Sequence, residues 1–127
     1  MIAVDTSALM AILLNEPTAD GCAAALEAED RLLASAGTVA EALIVAAQRN
    51  VRDQMEQLID GLGIEVVSIS PGSARRVADA YDRWGKGLHA AALNFGDCFA
   101  YALAKEQRCP LLYVGEDFAK TDIEAVL

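Results

Sequence analysis

Carboxylates that gather in one place can hold a hard divalent cation, and four acids of this chain fall where an α/β fold would gather them: Asp5, Glu41, Asp97 and Asp117. Asp5 directly follows a short run with a β-branched bias at residues 2–4, and Asp117 comes just after an apolar run at 111–114. Glu41 and Asp97 sit in the first turns of helical patterns that can begin on the same edge. In open α/β sheets ligands bind outside the carboxyl ends of the strands, at the switch in strand order, and that is where these acids can converge. Taken singly, each has a local explanation, because aspartate is a preferred N-cap and an acid in a first helical turn opposes the helix dipole. Thr38-Val39-Ala40-Glu41 has the spacing of a capping box, and a Glu41 that reaches back to the Thr38 amide cannot also turn toward a metal.

As a set the four acids suit Mg²⁺ (or Mn²⁺), which takes oxygen ligands in octahedral geometry. The single histidine, His89, puts a zinc centre and a Ser-His-Asp triad out of easy reach, and it reads as a loop residue. The hydroxyls of Thr6, Ser7 and Thr38 stand near the acids, either supporting a carboxylate or a water or serving as plain N-caps.

The elements that must position these residues can be read from periodicity and punctuation. Strands are expected at 2–4, 31–34, 64–69 and 111–114, with a last one at 123–126. Helices are expected at 5–14, 17–30, 35–49, 53–62, from Ser70-Pro71 to Trp84, and from Gly96-Asp97 to about Gln107, with a short helical segment after Asp117. Short continuous apolar strands alternating with helices mean a buried, mostly parallel sheet of four or five strands. The expected fold is a three-layer α/β/α sandwich, and 127 residues make it one domain, 1–127.

Composition bounds the biology. No leader pattern precedes Asp5 and the apolar stretch at 8–14 is too short to cross a bilayer, so a cytoplasmic location without a membrane role is expected. Three cysteines, never in a C-x-x-C pair, indicate neither a disulfide framework nor a zinc site and read as small buried hydrophobes. A net charge of −9 repels a polyanion at long range, so cations or a basic partner belong in the picture. Arg75, Arg76, Arg83 and Lys86 interrupt this acidity: Arg83 and Lys86 are candidate phosphate contacts, against a solvated helix face paired with Asp79 and Asp82. Trp84 and Phe95 can stack on bases, though burial is the commoner fate of large aromatics.

Four segments in order, IAVDTSAL at 2–9, TVAE at 38–41, LNFGDC at 93–98 and LLYVGEDF at 111–118 with TDI at 121–123, resemble PIN-domain ribonucleases, and more narrowly VapC-type toxins. The resemblance spans essentially the whole chain. It implies a PIN-like sandwich and a metal-dependent endoribonuclease, the toxin of a type II toxin-antitoxin pair. Such an enzyme would hydrolyse RNA phosphodiesters through an acidic two-metal-type site. By similarity Asp5, Glu41, Asp97 and Asp117 form the acidic quartet, with Asp5 and Asp97 at its centre. Glu116, Asp117 and Asp122 compete for the fourth place, where Asp117 is preferred and Asp122 supports it. A cognate antitoxin covering the acidic groove and a homodimer are also implied. Two other classes stay open: an aspartate-based phosphatase, for which Ser7 stands where a second acid is wanted, and a non-catalytic acidic metal-binding regulatory module, against which the complete four-acid set weighs.

Overall fold

The computed structural model describes residues 1–127. In chain order the elements are β1 (Ile2–Val4), α1 (Thr6–Leu13), α2 (Ala19–Glu27), β2 (Leu32–Ser35), α3 (Ala36–Gln48), α4 (Arg52–Leu62), β3 (Glu65–Val67), α5 (Pro71–Trp84), α6 (Phe95–Gln107) and β4 (Leu111–Leu112), followed by a 3₁₀ turn at Phe118–Lys120. The strands lie in the order β3-β2-β1-β4 and every ladder is parallel. The chain therefore winds outward from β1 through β2 to β3, then returns across the sheet to place β4 on the other side of β1. The reversal in strand order falls between β1 and β4, with Asp5 just beyond one strand and the segment to Asp117 beyond the other.

Alternation along each strand builds two cores. Ile2, Val4, Leu32, Ala34 and Leu112 face one layer, where they pack with Leu9 of α1, Cys22 and Leu26 of α2, Ala42 and Ala46 of α3, and Met55 and Ile59 of α4. Ala3, Leu33 and Leu111 face the other, against Ala80 and Trp84 of α5 and Cys98, Tyr101 and Leu103 of α6. This is the three-layer α/β/α sandwich expected from the sequence. All three cysteines are free and buried within it. No helix is long and apolar enough to cross a membrane.

The strand count settles at four. Residues 123–126 supply only a bridge from Ala125 to Leu111, and the runs at 64–69 and 111–114 shorten to three and two paired residues. β3 is an edge strand with Glu65 and Val66 solvent-exposed, and β4 has β1 on one side and only the Ala125 bridge on the other. Helix starts follow their cap chemistry: Ser70 accepts from the Ser73 amide with Pro71 in the first turn, and α4 ends at left-handed Gly63.

Candidate active site

Asp5 leaves β1 as the N-cap of α1. Its Oδ2 accepts from the Ser7 amide at 3.0 Å and from Ser7 Oγ at 2.6 Å. The Ser7 hydroxyl in turn accepts from the Val114 amide at 3.0 Å, tying the end of β1 to the segment after β4 across the reversal in strand order. Asp5 is only 3% exposed, and its Oδ1 has no hydrogen-bond partner. Burial, reinforced by the charges of Asp97 and Glu41, pushes its carboxyl up to about 7 although both bonds from Ser7 favour the ionised form.

Asp97 arrives from the other layer, in the first turn of α6. It forms a reciprocal capping box with Asn94, whose amide donates to Asp97 Oδ2 at 3.0 Å while the Asp97 amide donates to Asn94 Oδ1 at 2.8 Å. Half-burial, then Glu41 and Asp117, raise its carboxyl to about 6. Asp117 stands exposed beyond Gly115, whose φ of +112° is a conformation that L side chains rarely adopt and that turns the chain after β4. Asp5, Ser7, Asn94, Asp97, Glu116 and Asp117 line one pocket of about 390 Å³.

Glu41 reaches the cluster from α3 but does not cap it. That helix starts at Ser35, whose side chain accepts from the Gly37 amide at 3.1 Å. Thr38 thus lies inside the first turn, and Glu41 is beyond capping reach, so the capping-box expectation for Glu41 fails on helix register. The carboxylate instead lies against Gly96, where any side chain would collide with it. Thr38 is fully buried, its Oγ1 unpartnered, and its carbonyl accepts from Thr6 Oγ1 at 3.3 Å, joining α3 to α1 beside Asp5.

Two further expectations move. Asp122 is not beside the quartet: it accepts from the Tyr101 hydroxyl and from Lys105 Nζ at 3.2 Å, with Arg83 at 3.6 Å. Arg83 also stacks over Trp84 of its own helix, 4.5 Å from the ring centroid, so it ties α5 to the C-terminal segment at Asp122 and pairs with neither Asp79 nor Asp82. Lys86 lines a separate groove that shares Asn94 with the acidic pocket. Trp84 is buried as expected and donates to Tyr101 at 2.9 Å, whereas Phe95 is 63% exposed. Asn94 and Gly96 are the site residues that the sequence reading did not single out; the Asn-x-x-Asp spacing of a capping box was the available signal for Asn94.

The four acids are electrostatically linked with Asp97 at the centre, and three of them share the pocket. As the side chains stand, no three are placed to ligate one ion together, because Asp97 is turned back onto the Asn94 amide. Yet the donor set is all hard oxygen, Asp5 keeps a buried oxygen without a partner, and two carboxyls are held high by burial and by the charges of neighbouring acids. The residues fit a divalent cation.

The PIN-domain family model matches residues 2–124. The chain belongs to the PIN-domain family. Within that family it is similar to the VapC proteins. Ribonuclease VapC36 of Mycobacterium tuberculosis is 46% identical over 125 residues, covering 95% of this chain and 90% of the relative. Among solved structures, VapC20 of the same organism, described as a sarcin-ricin loop cleaving toxin, superposes with a TM-score of 0.81 at 12% identity over 99% of this chain and 98% of that one. A toxin-antitoxin complex from Klebsiella pneumoniae matches with a TM-score of 0.70 at 19% identity, covering 96% and 93% of the two chains. These two share the PIN fold with this chain.

Proposed function

We propose that this PIN-domain protein is a divalent-cation-dependent endoribonuclease, the toxin of a toxin-antitoxin pair. One observation carries the reading: a buried Asp5, with an unpartnered oxygen, shares a pocket at the strand-order reversal with Asp97 and Asp117, and Glu41 stands behind. The kinship with a 46% identical VapC ribonuclease supports RNA as the substrate.

In this reading Asp5, Asp97, Asp117 and Glu41 hold Mg²⁺ or Mn²⁺. When bound, such a cation polarises a phosphate and acidifies a water. The protein's own part is to keep the carboxylates in place. Ser7 orients Asp5 by donating to Oδ2, and Asn94 holds the Asp97 backbone while competing for its carboxylate. Asp5 and Asp97 also stand at the N-termini of α1 and α6, whose dipoles offset part of the mutual repulsion of the acids. The net charge of −9 suits a basic segment of an antitoxin laid over the acidic pocket.

A phosphatase with Asp5 as nucleophile loses to this reading, because the residue two places on is a serine committed to Asp5 and Val114. The test is cleavage of total RNA by the purified protein with Mg²⁺ or Mn²⁺. Asp97→Asn should reduce cleavage to background with the fold intact by circular dichroism. RNA left whole by the metal-loaded wild type overturns the enzyme; release of inorganic phosphate from small monoesters would favour the phosphatase, and metal binding without either activity a regulatory module.

A further inference from the structure

Beside the acidic pocket, between α5 and α6, runs a second groove of about 590 Å³ whose lining is mostly apolar. Tyr81 and Val77 of α5 and Phe95 of α6 form its walls, with Lys86, Asp82 and Asn94 at polar positions. Asn94 lines both cavities, so the groove adjoins the pocket that holds Asp5 and Asp97. Phe95 is 63% exposed and its ring rests on Phe99 with centroids 5.0 Å apart, while the Tyr81 hydroxyl donates to the Lys86 carbonyl at 3.3 Å. Two aromatic faces are thus held in place and open to solvent, one residue from the N-cap shared with the acids.

We propose that this groove is a nucleobase subsite, in which Phe95 and Tyr81 stack a base of single-stranded RNA whose backbone runs on into the acidic pocket. The inference rests on the ribonuclease reading and adds to it where the substrate lies. Lys86 and Asp82 offset one another, so the groove attracts no phosphate by net charge; the aromatic surface suits the flat face of a base, which every nucleotide offers. Adjacency across Asn94 is what selects RNA over other apolar occupants, because a strand with a phosphate at Asp97 has its neighbouring nucleotide within reach of a groove that shares Asn94 with the acidic pocket.

The experiment uses the full chain carrying Glu41→Gln to stop turnover, with Mg²⁺ and two end-labelled probes, oligoadenylate and the same oligomer with abasic positions, read by fluorescence anisotropy. Phe95→Ala should weaken oligoadenylate binding about tenfold. Phe95→Trp should restore it, and the abasic probe should be indifferent to residue 95. No binding of oligoadenylate, no loss in Phe95→Ala, or equal losses on both probes overturns the subsite. So does a Phe95→Ala protein that changes its sedimentation from dimer to monomer with unchanged RNA affinity, which would make the groove an interface between copies. Phe95-dependent binding by a chain that cleaves no RNA would retire the ribonuclease and keep the subsite; cleavage without such dependence would do the reverse.

Discussion

The environment of Asp5 has consequences that differ with and without metal. The fold favours its neutral acid, so in metal-free protein its contribution to stability is full below the ordinary carboxylate pKa and is lost as pH rises through about 7. Asp5→Asn removes the charge: at pH 8 the metal-free variant should be more stable than wild type by roughly 2 to 4 kcal/mol, with the difference gone near pH 4. Chemical denaturation at both pH values checks this, and an Asp5→Asn protein less stable at pH 8 would contradict it. Ser7 works in the opposite direction, because both of its bonds favour the ionised carboxylate. Ser7→Ala should push the Asp5 carboxyl higher, lower RNA cleavage about tenfold at neutral pH, and move the rising limb of the pH–rate profile to higher pH. A uniform loss at all pH values would mean that Ser7 only packs.

Among the elements, α3 and α6 are fitted to one another at Glu41 and Gly96. The missing side chain at 96 is the space the Glu41 carboxylate occupies. Gly96→Ala should therefore push the Glu41 carboxylate aside at little cost in stability, the colliding atoms being the end of a flexible side chain, and become stabilising once Glu41→Ala has emptied that space, since alanine is the better helix former. A double-mutant cycle of unfolding free energies measures the coupling, and additive effects would deny it. The cap of α6 is a separate quantity: Asn94→Ala removes the acceptor of the Asp97 amide and should cost about 1 kcal/mol. That is a fall of roughly 4 °C in Tm by differential scanning calorimetry.

For the whole molecule the central fact is an excess of negative charge, −9, converging in part on one pocket. A cation that binds only the folded chain stabilises it by mass action, by about 2.7 kcal/mol at a hundredfold excess over its Kd. Mg²⁺ or Mn²⁺ should raise Tm in a concentration-dependent way, EDTA should reverse the rise, and Asp97→Asn should abolish it. A Tm indifferent to metal would count against the acidic cluster as a cation site. Because its ligands must be ionised, binding should weaken below about pH 6, where Asp5 and Asp97 are protonated.

The order of elements, the two-sided burial of the sheet and the four acids were legible in the chain itself, because strand runs, helix periods and caps are local patterns of a few residues. Ser70-Pro71 opening α5 and Asp5 capping α1 are of this kind. Local patterns also misled. Both Ser35 and Thr38 can cap a helix, and only the parallel pairing of β2 as far as Ser35 decided that α3 begins at once and leaves Glu41 free of Thr38. Asp117 was preferred for the fourth place with Asp122 in support, yet the reach of Tyr101, Lys105 and Arg83 from α5 and α6 takes Asp122 out of the cluster. Phe95 was expected to be buried and is exposed, its ring resting on Phe99 at the start of α6. The sequence by itself thus determined which residues are candidates for the chemistry and on which elements they ride. The tertiary structure alone decided which of them meet, because meeting depends on the return of the chain across the sheet to β4 and on side chains from elements far apart in sequence.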